Sequence, residues 1–385
     1  MIRRPNEAAR MQPFQRVAAL SVWLVGLLAL VACDSFAEPT LPDDREVLEG
    51  PVGRGRDCTP QDLRTSPMDL RIHFIDVGQG DAIWIQTPDD GVPGNGVAEG
   101  YNILIDAGDL GFENRTDGGA HVVRYMQAMG LQPGETIDFA IATHAHSDHY
   151  GGFGRVFDVF TVRNVLDPGF PSDSPSYADF LGRADVETRR NGGRLYRPAI
   201  PEFFPERYAS TDRFGAELPT QILNSRTDRV DWHTGDVVNN SSIVLMMQYA
   251  GRRVLFMGDA HWEVESEIAN ALGALDAHIL KVGHHGSRTS STNVFLNRVF
   301  ARTSPSRSFA VIPAGRRSFS GVQHPSVGTV FRLQDYVPRA HVFSTEFSDA
   351  GLGEREAAGN DHIFAVIESD GSIRMCYNRS VSTQD

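Results

Sequence analysis

The chain has 385 residues, of which 41% are hydrophobic and 22% are charged, and its formal net charge is −13. This length suits one large domain or two ordinary ones, and the composition excludes a mainly disordered chain. The acidic balance argues against broad, non-specific binding to nucleic acid, although it leaves room for a local basic groove. The one long apolar run lies near the N-terminus, which excludes a protein with several membrane spans.

Residues 1–32 are predicted to be an export signal. Four arginines lead into the apolar residues 17–31, a stretch shorter than the ~20 residues of a spanning helix and typical of a secretion signal. The stretch ends in the sequence LVAC, which is typical of a bacterial lipobox, so the thiol of Cys33 is the expected site of lipid attachment. An ordinary cleaved signal and an uncleaved N-terminal anchor are the alternatives. Either way, the protein is expected in the cell envelope, facing the periplasm or the exterior.

Residues 33–67 are rich in Pro, Gly, Asp and Glu, which predicts a flexible tether between the lipid and a single catalytic domain over residues 68–385. Cys58 and Cys376 lie near the two ends of the chain beyond Cys33. In an oxidising periplasm they can form a disulfide, and two unpaired thiols are the alternative.

Short apolar runs between turn residues predict the elements of the domain in chain order. The predicted strands cover residues 70–74, 82–85, 102–105, 139–142, 243–249, 253–256, 279–282, 309–312, 364–367 and 373–376. Helices are predicted over residues 120–129 and 261–272, and the polar stretch 171–235 is predicted to cover one rim of the site. Early hairpins followed by alternating strands and helices indicate two sheets flanked by helices, an α/β architecture.

The residues that carry chemistry begin directly after the fourth predicted strand, in the sequence HAHSDH at residues 144–149. Three imidazoles and one carboxylate lie within this short segment. A strand end fixes the backbone, and the tight loop that follows can direct side chains into two neighbouring positions. This mixture of nitrogen and oxygen donors favours zinc, manganese or iron. A histidine-rich surface loop is the alternative.

Two later strand ends carry further candidate ligands. Asp259 follows the strand over residues 253–256, where its carboxylate can bridge two ions or cap the helix that begins near residue 261. The sequence KVGHHGS at residues 281–287 also follows a strand. Either His284 or His285 can complete the site.

Together these segments resemble the metallo-β-lactamase superfamily, and more closely the hydrolase domain of ComEC-type DNA-internalisation competence proteins. The matching motifs are FIDVGQGDA at 74–82, ILIDAG at 103–108, HAHSDH at 144–149, NNSS at 239–242, GD at 258–259 and HHGS at 284–287. The resemblance covers residues 70–378. It implies an αββα sandwich with the metal ions at the edge between the two sheets.

The resemblance also implies a set of metal ligands, which are His144, His146, Asp148, His149, Asp259 and His285. The first two hold one ion, the next two hold the other with the later histidine, and Asp259 bridges them. His285 is preferred to His284 because the ligand histidine of the superfamily is commonly followed by glycine. Many members carry a further histidine ligand where this chain has the sequence NNS at 239–241, so a weakened first ion site is predicted. One or two divalent ions are expected, zinc first and manganese as the alternative.

The remaining candidates are expected to support the ligands or to contact substrate, and they are Asp106, Asn240, Lys281 and His284. Asp106 is expected to orient a ligand histidine. His324 is the candidate general acid or phosphate contact, and a surface histidine before a helix is the alternative. Lys281 and the arginine-rich segment 183–197 are the expected contacts to a phosphodiester, with a solvated face as the alternative for the arginines.

These features predict an extracytoplasmic, lipid-anchored, metal-dependent hydrolase, with a phosphodiesterase or nuclease as the leading interpretation. The expected reaction uses water activated by the ions, and Asp148 is expected to orient that water as well as to bind metal. The expected partners are an ester substrate, such as single-stranded DNA, and the membrane through the lipid, while no protein partner is inferred. The alternatives are a hydrolase of an envelope phosphoester, lactone or thioester, and a non-enzymatic metal-binding envelope protein.

Overall fold

Apolar runs bounded by turn residues form the strands of the domain. The strands are β1 Leu70–Phe74, β2 Ile83–Gln86, β3 Asn102–Ile105, β4 Thr136–Ile141, β5 Thr161–Leu166, β6 Leu195–Tyr196, β7 Thr220–Asn224, β8 Val244–Tyr249, β9 Arg252–Phe256, β10 Ile279–Lys281, β11 Phe309–Ile312, β12 Ser318–Phe319, β13 Val322–Gln323, β14 Val342–Ser344, β15 Ile363–Ile367 and β16 Ile373–Tyr377. The helices are α1 Gly118–Ala128, α2 Ser147–Tyr150, α3 Phe153–Val159, α4 Pro175–Arg190, α5 Val237–Asn240, α6 Trp262–Leu272, α7 Asn293–Val299 and α8 Val327–Gln334.

The structure is a computed structural model, and it describes residues 55–95, 97–111, 116–198, 218–225, 227, 236–315, 318–319, 322–346 and 358–384. All of these residues belong to the compact unit Leu41–Asp385. The predicted export signal, the predicted lipid site at Cys33 and the first part of the predicted tether lie outside the described residues. Among the helices that the structure describes, none has the length and apolar character needed to cross a membrane.

The first sheet contains eight strands in the order β16-β15-β1-β2-β3-β4-β5-β6. The strands from β16 to β3 pair antiparallel, and those from β3 to β6 pair parallel. Successive side chains of a strand point to opposite faces. Accordingly, Ile83 and Ile85 pack in the core between the sheets, whereas Trp84 packs with the residues of α1 and α3 on the outer face.

The second sheet contains six strands in the order β14-β11-β10-β9-β8-β7, with β9, β10, β11 and β14 parallel. Its inner face shares one core with the first sheet, in which Phe74 and Ile141 of the first sheet join Leu255 of the second. Residues Ile268 of α6 and Leu296 of α7 belong to the same buried cluster. Helices therefore accompany both sheets, and the predicted αββα sandwich is confirmed.

The first half of the polar stretch 171–235 forms α4. Ser174 caps this helix by accepting a hydrogen bond from the backbone N–H of Tyr177. Tyr177, Phe180 and Ala184 are buried at helical spacing, and they pack on the outer face of the first sheet. This part of the stretch is thus a helix of the sandwich, where the sequence analysis predicted only a cover over one rim of the site.

Residues 55–67, the last part of the predicted tether, lie against the domain. The backbone N–H of Cys58 donates to the carbonyl of Tyr377 at 2.8 Å. A disulfide joins Cys58 to Cys376 of β16, 318 residues later in the chain. The described end of the predicted tether is therefore attached to the edge strand of the first sheet.

Candidate metal centre

The predicted ligands come together where the carboxyl ends of four strands meet. Asp106 follows β3, and residues 143–149 follow its parallel neighbour β4. In the second sheet, Asp259 lies shortly after β9, and residues 283–286 lie shortly after its parallel neighbour β10. Parallel pairing brings the carboxyl ends of each pair to one edge of its sheet, and the packed sheets bring the two edges together.

The segment 143–149 supplies two sets of donor atoms. His146 has an extended backbone, and α2 begins at the next residue. The Nε2 atom of His144 lies 3.1 Å from the Nδ1 atom of His146, so both nitrogens can bind one ion. Asp148 and His149 lie on the single turn of α2 and provide donors for a second position.

Asp259 lies between these two positions. Its Oδ2 atom is 3.1 Å from Nε2 of His149, 3.2 Å from Nε2 of His285 and 3.8 Å from Nε2 of His144. One carboxylate oxygen thus faces three imidazole nitrogens that come from both halves of the sandwich. This is the position from which a carboxylate can bridge two ions.

The structure separates the adjacent histidines His284 and His285. Both have left-handed backbones, with φ of 45° and 50°, so their side chains diverge. Nε2 of His285 lies 3.5 Å from Oδ2 of Asp148, inside the ligand group, whereas His284 points to Thr289 and Asn239. The following Gly286 is required, because a Cβ there would lie 2.7 Å from Pro325.

The donor set fits divalent cations. Three groups have all ligand atoms within 4.8 Å of one another, and they are His144 with His149 and Asp259, Asp148 with His149 and His285, and Asp81 with Asp106 and His149. The Nε2 atom of His285 is buried and has no hydrogen-bond partner among the described residues, although it faces carboxylate oxygens. A buried polar nitrogen without a hydrogen bond is unfavourable in free energy, and a metal ion at this position would provide the missing partner.

Asp106 supports the ligand segment through Thr143 and the Nδ1 atom of His149. Its Oδ1 atom accepts a hydrogen bond from the backbone N–H of Thr143 at 2.7 Å, and its Oδ2 atom accepts one from the Thr143 hydroxyl at 2.8 Å. The same Oδ2 lies 2.8 Å from Nδ1 of His149. A carboxylate behind a histidine fixes the ring and its tautomer, and directs Nε2 toward the ion position.

The field at the site is strongly negative. Burial alone would lower the pKa of His149, but the carboxylates of Asp259 and Asp106 raise that pKa well above its usual range. Burial would raise the pKa of Asp259, yet His149 and His285 hold it well below its usual range. The negative field that favours protonated imidazoles in this buried site would also favour a divalent cation bound between them.

The segment 239–242 is where the resemblance implies that many superfamily members carry a further histidine. Asn240 is turned away from the site, since its Oδ1 atom accepts from the backbone N–H of His261 at 3.0 Å and its side chain is buried. Ser242 lies closer, where its hydroxyl accepts from the backbone N–H of Asp259 at 3.0 Å. Within the described residues, this segment supports the ligands and offers no imidazole to the first ion position.

A second cluster of histidines adjoins the ligands. The rings of His284 and His261 stack with centroids 4.7 Å apart, and the ring of His324 lies 5.3 Å from that of His284. Burial lowers the pKa of His324 to about 4, so its imidazole is neutral at pH 7. The surface alternative for His324 is wrong, because only 8% of the residue is exposed. His261 was not predicted as a site residue, although it lies two residues after Asp259 on the same loop.

Of the basic residues predicted to contact a phosphodiester, Lys281 is buried and the arginines of α4 lie on the surface. Lys281 is buried and forms an ion pair with Asp81 beneath the ligands, which removes it from contact with a substrate. In α4, Arg183 pairs with Asp158 at 2.7 Å, and Arg189 pairs with an aspartate one turn earlier. These arginines form surface ion pairs with neighbouring acids, and their contact with a phosphodiester stays a prediction.

A sandwich that presents clustered histidines and aspartates at the edge between its sheets defines a metal-dependent hydrolase fold. The family comparison agrees, because the model of the metallo-beta-lactamase superfamily matches residues 97–303. The chain therefore belongs to the metallo-beta-lactamase superfamily, whose fold implies binding of divalent metal.

The chain is also similar to competence proteins of the ComEC type. ComE operon protein 3 of Bacillus subtilis is 25% identical over 257 residues, which cover 64% of this chain and 28% of that protein. Competence protein ComA of Neisseria gonorrhoeae is 34% identical over 289 residues, which cover 72% of this chain and 32% of that protein. The chain thus spans less than a third of these relatives. Among solved structures, the metallo-beta-lactamase fold protein YhfI of Bacillus subtilis covers 72% of this chain and 96% of its own, with 10% identity and a TM-score of 0.40.

Proposed function

We propose that this protein is a metal-dependent phosphodiesterase that cleaves single-stranded DNA outside the cytoplasm. The observation that carries the proposal is the position of Asp259, whose one oxygen faces His144, His149 and His285. Two adjacent donor groups that share a carboxylate suit two ions, an arrangement that can clamp a phosphoryl centre. The competence proteins among the relatives support DNA as the substrate.

The chemistry divides between the ions and the side chains. When bound, divalent ions lower the pKa of water and stabilise negative charge on a phosphoryl group. His144 and His146 would hold one ion, and Asp148, His149 and His285 would hold the other. Asp148 retains 16% exposure of its side chain, so it can also accept a hydrogen bond from a water that approaches from solvent.

The histidines beside the ligands are the groups that can contact the substrate. His284 is only partly buried and stands at the opening next to His285. The ring of His324 forms a triangle with these two rings, at 5.3 Å from the centroid of His284 and 6.4 Å from that of His285. A neutral imidazole can donate an N–H to a phosphate oxygen or to a leaving group, which is the role we assign to His324.

The charge of the surface predicts how the substrate is bound. The arginines of α4 are paired with acids, and the net charge of the chain is −13. Affinity for DNA must then come mainly from the phosphoryl group at the ion centre rather than from a basic groove. A protein that neutralises few backbone phosphates loses little affinity with salt, so cleavage is expected to vary only weakly with ionic strength.

Cleavage of a labelled linear single-stranded DNA by the purified chain, with added Mn²⁺ or Zn²⁺, tests the proposal. Metal-dependent cutting is expected for the wild-type protein and for Asp185→Asn, a matched change of a surface aspartate in α4. No cutting is expected for Asp148→Ala, which removes a donor of the second ion position. If metal is bound but only a phosphocholine ester, a lactone or a thioester is hydrolysed, the nuclease is excluded and an envelope hydrolase replaces it. Metal binding without hydrolysis of any ester would leave the non-enzymatic binding protein.

We also propose that the protein is a lipoprotein anchored through Cys33 on the periplasmic or outer side of a membrane. The disulfide between Cys58 and Cys376 supports export, because such bonds persist in oxidising compartments. Replacement of Cys33 by serine is expected to release the protein from the membrane fraction and to abolish labelling with radioactive palmitate. A wild-type protein that stays in the membrane fraction but takes up no palmitate would point to an uncleaved N-terminal anchor.

A further inference from the structure

Lys281 is a buried cation at the centre of the ion site. It is the only lysine in a sequence with 36 lysines and arginines in total. It ends β10, two residues before the turn that carries His284 and His285, and none of the residue is exposed. An ammonium group is buried at a cost that a hydrophobic side chain of similar size would avoid. Its presence here therefore calls for a role beyond packing.

The ammonium group holds the turn that presents Asp259. Its Nζ atom donates a hydrogen bond to the carbonyl of Gly258 at 2.8 Å and lies 3.7 Å from Oδ1 of Asp259. Gly258 has a left-handed backbone, with φ of 52°, and a Cβ there would lie 2.9 Å from Ser242. This tight turn sets the direction of the Asp259 carboxylate, and Lys281 fixes the turn from inside.

The same ammonium group reaches the histidines through Asp81. Lys281 and Asp81 form a buried ion pair. The Oδ1 atom of Asp81 lies 3.4 Å from Nδ1 of His285, and its Oδ2 atom lies 3.9 Å from Nδ1 of His149. Both of these nitrogens are on the side of the ring away from the ion position. One lysine is thus linked to ligands from both sheets.

We propose that Lys281 is a positioning residue that sets the geometry of the ion centre. It holds Asp259 through the Gly258 carbonyl. It also holds the Asp81 carboxylate, whose negative charge faces Nδ1 of His285 and Nδ1 of His149. The nearer partners of these two nitrogens are the Pro313 carbonyl at 2.9 Å and the Asp106 carboxylate at 2.8 Å. The proposal rests on the proposed metal-dependent function, and it adds that ion affinity depends on a residue that contacts no ion. Loss of Lys281 should therefore weaken ion binding beyond any effect on folding.

The test compares Lys281→Met with the double variant Lys281→Met/Asp81→Asn. The single change leaves the Asp81 carboxylate buried without its partner, so a lower melting temperature of the metal-free protein is expected. The double change removes one positive and one negative charge, so the net charge of the centre stays the same. Its melting temperature should recover, while its ion affinity should remain about 10- to 100-fold below wild type, as for other partners that orient metal ligands. Ion affinity is measured by competition with a chromophoric chelator.

Leu296→Ala is the control for stability, because it lowers packing in α7 without touching the ion centre. This variant should melt at a lower temperature and bind ions like wild type. The proposal is overturned if the double variant binds ions with wild-type affinity, since Lys281 and Asp81 would then serve folding alone. The affinity measurement needs no substrate, so this proposal and the proposed cleavage of DNA can fail separately.

Discussion

The two halves of the sandwich supply the ion centre in different ways. The first half places four donors on one continuous segment, residues 144–149, held by Asp106 from the neighbouring strand. The second half supplies Asp259 and His285 from two separate loops, which meet only because β9 and β10 are parallel neighbours. The first set of ligands is local in sequence, and the second depends on tertiary packing.

This difference explains where the buried supports lie. In the first half, Asp106 contacts the ligand segment through three short hydrogen bonds to two residues. In the second half, the ligand turns are held at separate points, namely by Lys281 at the Gly258 carbonyl and by Glu265 at the residues that follow the histidine turn. A local motif needs one support, whereas ligands that come from separate loops need supports that tie the loops together.

Asp106→Asn should have the largest effect on ion binding, because Asp106 supports the ligand segment of the first half through three hydrogen bonds. Asparagine tolerates the left-handed backbone of this residue, which has φ of 57°, so the turn should be kept. The lost charge and acceptor leave His149 less firmly oriented. We expect ion affinity to fall by about 100-fold, the upper end for a partner of a metal-binding histidine. Chelator competition on the purified variant measures this, and an unchanged affinity would mean that His149 needs no support from below.

The first sheet and its ligand segment could be predicted from the sequence because their signals are local. Alternating apolar residues gave the strands up to β4, and four donors within six residues marked the ion site. The short strand β7 was missed since it lies within the polar stretch 171–235, and α4 was missed although Ser174 and the buried spacing of its apolar residues signalled a helix. Both elements were missed because the stretch 171–235 was judged by its polar composition as a whole.

The second half of the site could be predicted only in part. The glycine that follows His285 favoured it over His284, but the separation of the two side chains depends on two successive left-handed residues that a strand pattern does not report. Lys281 was predicted as a contact to a phosphodiester because of its positive charge, and only the packing of β10 between β9 and β11 shows that it is buried. These residues act through tertiary contacts, which a strand pattern does not report.

Glu265 provides a pH test of the loops of the second half. It is buried in α6 and accepts hydrogen bonds from the backbone N–H of Ser291, and from the backbone N–H and hydroxyl of Thr292, both at 3.0 Å. Burial raises the pKa of Glu265 from 4.5 to about 7. Between these two values the folded state binds a proton that the unfolded chain does not bind, so the free energy of unfolding falls as pH rises.

The contribution of Glu265 should change by about 2 kcal/mol between about pH 5.5 and about pH 8. Glu265→Gln cannot ionise and should lack this part of the pH dependence. Melting curves of the two metal-free proteins over this range measure the effect, and their difference cancels the groups that titrate in both. Parallel curves would show that Glu265 keeps an ordinary pKa, and that the backbone donors outweigh its burial.

Asp236→Asn should have the smallest effect, and it tests whether the second half supports the first. The Oδ1 atom of Asp236 lies 3.8 Å from Nε2 of His146, and both side chains are 36% exposed. This distance is too long for a hydrogen bond, and solvent screens the charges. Asparagine can still cap α5, as Asp236 does by accepting from the backbone N–H of Asn239. Ion affinity should therefore fall by no more than about 3-fold, at low and at high salt. A loss of about tenfold or more would identify Asp236 as a ligand of the first ion, in the role of the histidine that segment 239–242 does not supply.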